Sequence, residues 1–90
     1  MAGDELDELR RKIDKLNEEI MIKLKERVAI SMRIGEVKSR TGRPIEDPER
    51  EARVIEAVGE QARRYGMDEE GVKRIFREII RLCREAQMKG

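Results

Sequence analysis

Apolar residues recur at steps of three and four along the first half of the chain, which is the pattern of one helix face. Between Asp4 and Arg40 there is no proline, and Gly35 is the only glycine. The pattern predicts one long helix of about 36 residues, roughly 54 Å at 1.5 Å per residue. Its apolar stripe consists of Leu6, Leu9, Ile13, Leu16, Ile20, Leu24 and Val28.

Two shorter helices are predicted to follow, and glycine, proline and aspartate mark their ends. The segment 41–44, Thr-Gly-Arg-Pro, interrupts the first helix. Asp47 followed by Pro48 is typical of an N-cap and a first helical residue. Gly66 indicates a C-terminal cap, and Asp68 indicates the start of a third helix. Strand-like alternation is absent from the sequence, so we expect an all-α fold.

The length of the first helix bears on the number of chains. We expect one domain over residues 1–90, and a compact domain of this size has a diameter of only about 30 Å. Two shorter helices therefore cannot cover the whole apolar stripe, which predicts pairing with a second copy by two-fold symmetry. The alternative is a first helix that breaks near Gly35 and folds back as an ordinary bundle.

Charge and composition exclude several classes of function. The chain has 21 cationic and 20 anionic side chains, so it lacks the basic excess of nucleic-acid-binding domains. No apolar run reaches the roughly 20 residues that span a membrane. There is no histidine and one cysteine, which leaves no nucleophile–histidine pair and little for a metal site. We expect a cytoplasmic protein that uses neither metal nor cofactor, and its many i,i+4 ion pairs further predict heat stability.

Four residues in the second half of the first helix interrupt its apolar face. Arg27 and Lys38 are eleven residues apart, and this spacing brings them within about 20° of one direction on a helix. Ser31 and Gly35 lie between them and are small. Such a gap between two cations could admit an anionic ligand, with the guanidinium binding a carboxylate. The alternative is that both cations face water and that the small residues only permit close helix contact.

Polar residues also stand out in the two shorter helices. Gln87 continues the apolar face of the third helix, where a buried amide needs partners; alternatively it is a frayed terminal residue that faces water. Asp47 has an ordinary explanation as a helix cap, and Glu51 as an anion that the helix dipole favours. We expect Cys83 to be a small core residue. Arg10 lies in a run of cations of the kind that is usually solvated.

Together these residues resemble the all-helical chorismate mutases, over nearly the full length of the chain. The fold that this resemblance implies is an intertwined homodimer of three-helix chains with a very long first helix. The segments that carry the resemblance are Leu9-Arg10-Arg11-Lys12-Ile13-Asp14, Glu26-Arg27, Gly35-Glu36-Val37-Lys38, Arg43-Pro44-Ile45-Glu46-Asp47-Pro48-Glu49-Arg50-Glu51, and Gln87.

The resemblance implies the rearrangement of chorismate to prephenate, a Claisen-type step in phenylalanine and tyrosine biosynthesis. The reaction moves electrons around one ring of atoms within one molecule, so it needs no proton transfer, nucleophile or metal. An enzyme contributes the compact chair-like geometry and stabilises the charge that develops as the ether bond breaks.

The resemblance also assigns roles to the charged residues. Arg27 and Arg10 would bind the two substrate carboxylates, with Arg10 reaching in from the partner subunit. Lys38 and Gln87 would donate hydrogen bonds to the ether oxygen, where negative charge grows.

Four further residues complete the implied substrate site. Glu51 and the backbone near Asp47 would bind the ring hydroxyl, and Arg50 would support the wall of the pocket. Cys83 departs from the family, in which a small polar residue such as Ser or Asn often contacts a substrate carboxylate. A thiol is a poor donor, so the backbone or a water would have to replace this contact.

Two other functions share some of these features. A lyase that removes pyruvate from isochorismate resembles the same fold and also binds two carboxylates. The combination of Lys38, Gln87 and Glu51 favours the mutase over this lyase. A non-enzymatic helical dimer that only binds an effector would be expected to lack one of the cations, and all of them are present.

Overall fold

The computed structural model describes residues 2–89, which form three α-helices. The helices are α1 (Ala2–Thr41), α2 (Pro48–Arg64) and α3 (Glu69–Lys89). The described residues contain no strand. The predictions of an all-α fold and of a very long first helix are therefore confirmed. None of the three helices is long and apolar enough to cross a membrane.

The first helix is continuous over 40 residues, so the alternative in which it breaks near Gly35 is wrong. The chain measures 61 × 27 × 15 Å, and its long axis matches the roughly 60 Å expected of such a helix. The radius of gyration is 16.9 Å, against roughly 12 Å for a compact chain of this length. Residues 3–23 of α1 are all exposed, because α1 extends well beyond the other two helices.

Short local signals determine where the helices begin and end. The Asp47 side chain accepts a hydrogen bond from the backbone N–H of Arg50 at 3.1 Å and so caps α2. Asp68 accepts one from the backbone N–H of Gly71 at 2.9 Å and caps α3 in the same way. Gly66 follows α2 with a φ of +67°, the left-handed conformation that favours glycine at a helix C-terminus. These three predicted end signals are confirmed.

The third helix lies centrally, because it packs against both α1 and α2. Among the described residues the buried apolar side chains are those of Val58, Ala62 and Cys83. The total accessible surface is 7608 Å², whereas a compact monomer of this mass exposes roughly 5,400 Å². One chain alone therefore buries little of its apolar surface.

The apolar stripe on the amino-terminal half of α1 has no covering helix within the described chain. Its side chains are between 46% and 56% exposed. A contiguous apolar surface of this extent is unusual for a monomer and is typical of an interaction surface. The residues that form it are Leu6, Leu9, Ile13, Leu16 and Ile20.

A charged cluster connects α2 to the start of α3. Arg63 donates a hydrogen bond to a carboxylate oxygen of Glu69, and Lys73 Nζ lies 3.2 Å from the same oxygen. These two hydrogen bonds, that of Arg63 above all, hold the pKa of Glu69 below its ordinary value of 4.5. The cluster therefore favours the ionised carboxylate in the folded chain.

This cluster predicts a loss of stability in acid. A carboxyl group with a lowered folded-state pKa stabilises the fold above its unfolded-state pKa, and the effect is lost as the pH falls through the folded-state pKa. The contribution of Glu69 is therefore complete well above pH 4.5 and is lost progressively below that value, as the pH falls through the lowered folded-state pKa. In thermal unfolding between about pH 3 and pH 7, Glu69→Gln should unfold at lower temperature than wild type near neutrality, and the difference should close in acid.

A neighbouring carboxylate provides the control for this measurement. Glu70 is 69% exposed and lies 3.9 Å from Lys73 Nζ, so Glu70→Gln should retain the wild-type pH dependence. The same pH dependence in Glu69→Gln and in wild type would contradict the role of Glu69.

Gly35 predicts a second effect on stability, because α1 and α3 approach each other closely there. A Cβ atom at position 35 would lie 3.2 Å from Cβ and 3.3 Å from Cα of Gln87. We expect Gly35→Leu to push α3 away from α1 and to cost about 1–3 kcal/mol, as overpacking does. Thermal unfolding measures the effect. Gly3→Leu is the control, since a Cβ at position 3 meets no atom within 4 Å; equal stability of the two variants would count against the close approach.

Candidate active site

A cavity of about 390 Å³ lies between the carboxy-terminal half of α1, the start of α2 and the end of α3. Residues from all three helices and from the loop before α2 line it. Seven of the eight site residues predicted from the sequence lie in this lining, namely Arg27, Lys38, Asp47, Arg50, Glu51, Cys83 and Gln87. The fold therefore brings together side chains that are up to 60 positions apart in the chain.

Arg27 extends from α1 towards α3. Its Nη1 atom donates to Sγ of Cys83 at 2.8 Å. Cys83 is only 3% exposed, which confirms the expectation of a small core residue. A thiol sulfur is a weak acceptor, whereas a guanidinium has five N–H donors. The contact with Cys83 therefore leaves Arg27 able to bind an anion in the cavity.

Lys38 lies near the end of α1 and connects that helix to the following loop. Its Nζ donates to the backbone carbonyl oxygen of Ile45 at 2.7 Å. An ammonium group has three donors, so two remain for a ligand. Lys38 and Arg27 are both half-buried and line one cavity, as their spacing of eleven residues predicts. The alternative that both cations simply face water is wrong.

The two small residues between these cations are buried. Gly35 lies against the side chain of Gln87 and so permits the close contact of α1 with α3. Ser31 is 7% exposed and contributes to the cavity lining. Gly35 therefore allows close helix contact, as the alternative interpretation states. This contact is compatible with Arg27 and Lys38 lining one cavity.

Gln87 is held inside α3 and is not a frayed end. Its Oε1 atom is buried and has no hydrogen-bond partner among the described residues. The alternative in which this residue faces water is therefore wrong. A buried polar atom without a partner costs about 1–3 kcal/mol, and this oxygen can be satisfied only by a hydrogen-bond donor, while the amide nitrogen of Gln87 is the group that can donate to a ligand.

Glu51 of α2 and Arg84 of α3 form an ion pair at the edge of the cavity. Nη1 of Arg84 lies 2.9 Å from each of the two carboxylate oxygens. Sequence analysis missed Arg84, although a signal was present. It follows Ile80 by four residues and precedes Gln87 by three, which places it on the cavity-facing side of α3.

Asp47 immediately precedes α2 and Arg50 lies in its first turn; both residues are exposed and line the cavity. The Asp47 carboxylate is already engaged as the helix cap. Both the ordinary explanation of Asp47 and its predicted place in the site are therefore compatible with the structure.

Arg10 is the one predicted site residue that does not lie in this cavity. It is exposed on the amino-terminal half of α1. It precedes Arg27 by seventeen residues, which is roughly 25 Å along a continuous helix. Because α1 is continuous, Arg10 and Arg27 of one chain cannot bind the same small molecule.

The charge of the lining favours an anionic ligand. Four cations and two carboxylates give a formal charge of +2, and the remaining surface is largely aliphatic. A concave site with an apolar wall and a few converging polar groups is typical of small-molecule binding. The charged residues are Arg27, Lys38, Arg50 and Arg84 with Asp47 and Glu51.

Several known proteins are similar in sequence to most of this chain. A 40% identity over 89 residues relates it to a bifunctional chorismate mutase/prephenate dehydratase of Aquifex aeolicus, covering 96% of this chain and 25% of that protein. A chorismate mutase of Methanocaldococcus jannaschii is 31% identical over 77 residues, or 86% of this chain and 78% of that protein. The T-protein of Enterobacter agglomerans is 34% identical over 77 residues, or 86% of this chain and 21% of that protein.

This chain therefore spans about a quarter of the Aquifex aeolicus protein and about a fifth of the T-protein. The family model described as chorismate mutase type II matches residues 9–88. That range includes the cavity and most of α1. The family that the sequence resembles is therefore confirmed. The chain belongs to the type II chorismate mutase family.

Proposed function

We propose that this chain catalyses the rearrangement of chorismate to prephenate in phenylalanine and tyrosine biosynthesis. The observation that carries the proposal is the single cavity in which Arg27, Lys38, Glu51 and Gln87 converge from three helices. Membership of the type II chorismate mutase family supports the same reaction.

The size and charge of the cavity fit the substrate. Chorismate carries two carboxylates, and the lining has a formal charge of +2. The volume of about 390 Å³ lies within the range of roughly 300–1,000 Å³ that small-molecule sites occupy. Attraction between the dianion and the cationic lining favours binding.

In the proposed reaction the protein first fixes the conformation of the substrate. One carbon–oxygen ether bond breaks while one carbon–carbon bond forms within the same molecule, and no proton leaves. The side chain of chorismate must therefore fold over its ring in a chair-like geometry before the bonds exchange. Arg27 binds one carboxylate, and its contact with Cys83 orients the guanidinium towards the cavity.

Stabilisation of the growing charge is the second contribution. As the ether bond lengthens, negative charge accumulates on its oxygen, where Lys38 and Gln87 donate hydrogen bonds. Both donors are held in advance, Lys38 by the carbonyl of Ile45 and Gln87 by its packing against Gly35. Donors that need no rearrangement stabilise a transition state most effectively.

The remaining residues bind the other end of the substrate. Glu51 and the backbone near Asp47 bind the ring hydroxyl, while Arg50 supports the wall at the mouth of the cavity. Cys83 accepts a hydrogen bond from Arg27 and so helps to orient the guanidinium, at a position where the family often has a small polar residue.

The second substrate carboxylate requires a cation from another chain, and we assign it to Arg10 of the partner subunit in an intertwined homodimer. The exposed stripe of α1 supports this assembly, as does a surface larger by roughly 2,200 Å² than that of a compact monomer. Losing this much surface from each chain matches the large apolar interfaces of obligate homodimers. An apolar groove formed by Ile30, Ile34 and Val37 adjoins the cavity and offers a place for the helix of the partner.

Replacing Arg27 tests the proposed function. We expect Arg27→Ala to fold and to lose about 2 kcal/mol or more of transition-state stabilisation, at least roughly 30-fold in kcat/KM, because one preorganised donor is removed. Loss of chorismate is followed by absorbance, and the product is identified by NMR. Lys25→Ala, which removes an exposed cation of the same helix, should keep wild-type activity. Near-normal turnover of Arg27→Ala, or pyruvate as a product, would refute this assignment.

Mixing two inactive variants tests the shared site. In a mixed dimer of Arg10→Ala and Lys38→Ala, one site receives both substitutions and the other receives neither. Random 1:1 exchange makes half of the dimers mixed, so activity should recover to about a quarter of the wild-type value. Light scattering provides the control: it should give about twice the chain mass of 10.5 kDa. A monomer, or no recovery despite proven exchange, would contradict the shared site.

A further inference from the structure

We propose that Arg84 is a positioning residue, which holds the carboxylate of Glu51 in the orientation that binds the ring hydroxyl of chorismate. This inference rests on the proposed function, in which Glu51 is the hydroxyl-binding group. Nothing in the resemblance to the chorismate mutases assigns a role to position 84.

The geometry of the pair supports a positioning role. Nη1 of Arg84 lies 2.9 Å from both carboxylate oxygens of Glu51. The two residues are 33 positions apart and belong to different helices, α3 and α2. Their side chains are 30% and 31% exposed, so the pair is partly shielded from water. Fixed contacts at both oxygens leave the carboxylate little freedom to rotate.

Another arginine of α3 shows how unusual this pair is. Arg81 lies 3.0 Å from Glu78, but that pair is within one helix turn and its side chains are 61% and 68% exposed. Exposed ion pairs of this kind contribute little to stability, because water screens them and two flexible side chains must be ordered. Arg84 instead connects two helices at the wall of the cavity.

A held carboxylate can still accept a hydrogen bond from the substrate. Two carboxylate oxygens offer about four lone-pair sites, and Arg84 uses one direction at each oxygen. The positive charge of Arg84 also offsets the negative charge of Glu51, which would otherwise repel a dianion entering the cavity. Without Arg84 the carboxylate would therefore be both misoriented and uncompensated.

The kinetic consequence is specific. The ring hydroxyl is bound in the ground state as well as in the transition state, so losing its acceptor weakens both equally and raises KM more than it lowers kcat. We expect Arg84→Ala to raise KM about tenfold, the effect of one charge-assisted hydrogen bond. Arg84→Lys should recover part of the loss, because an ammonium can still contact the carboxylate.

A double-mutant cycle with Glu51→Ala separates positioning from a merely structural clasp. If Arg84 acts through Glu51, Arg84→Ala should raise KM about tenfold in the wild type and less than about twofold in the Glu51→Ala background. A clasp that only joins α2 to α3 would lower the unfolding temperature without this non-additivity in KM. Arg81→Ala is the matched control and should keep the wild-type KM and kcat.

The outcomes are distinguishable. Equal effects of Arg84→Ala with and without Glu51, or no difference between Arg84→Ala and Arg81→Ala, would overturn the positioning role while leaving the mutase intact. A wild-type chain that does not convert chorismate would overturn the proposed function and this inference together. Should Arg84→Ala fail to fold, Arg84→Gln enters the same cycle, because it keeps most of the side-chain stem while lacking the charge.

Discussion

The length of α1 is the constraint on which the rest of the molecule depends. Forty residues of continuous helix reach about as far as the whole chain measures. Of the two shorter helices only α3 packs against α1, and it does so along the carboxy-terminal half. Burial of the remaining stripe requires a surface that α2 and α3 do not supply. The same rigidity separates Arg10 from Arg27 by roughly 25 Å. In the proposed dimer, one contact between chains therefore buries the apolar stripe and also brings a second carboxylate-binding cation to the cavity.

Packing of α3 against α1 and α2 forms the cavity. It approaches α1 at Gly35, where the absence of a side chain allows Gln87 to lie against the backbone. One turn earlier, Cys83 accepts from Arg27 of α1, and the next residue, Arg84, reaches Glu51 of α2. Successive positions of one helix thus contact both neighbours, as a turn of 3.6 residues permits. The cavity is consequently defined largely by helix packing, and the loop before α2 adds Ile45 and Asp47 to its lining.

Sequence alone predicted much of this arrangement because the relevant signals are local or periodic. Capping residues fix the helix ends through contacts three positions away, and the spacing of Arg27 and Lys38 follows from helical geometry. Arg84 escaped notice because an arginine on a helix is by default solvated, and its partner is 33 positions away. Whether Gln87 is buried or faces water could not be predicted from the sequence either, since burial of its amide depends on how closely α3 approaches α1. The dimer, the cytoplasmic location and the heat stability stay predictions.

The chemistry of the lining is consistent with the physical demands of the proposed reaction. A rearrangement within one molecule needs fixed charges and a fixed shape, and it makes no use of a group that gains or loses a proton. Arginine and lysine supply charge over the whole physiological pH range, and the amide of Gln87 supplies a neutral donor. Each of these groups must be anchored. A mobile cation has to be reoriented as the reaction proceeds, and the free energy of that reorganisation offsets its attraction for the developing negative charge. The contacts of Lys38 with Ile45, of Arg27 with Cys83 and of Arg84 with Glu51 provide such anchors before any ligand enters.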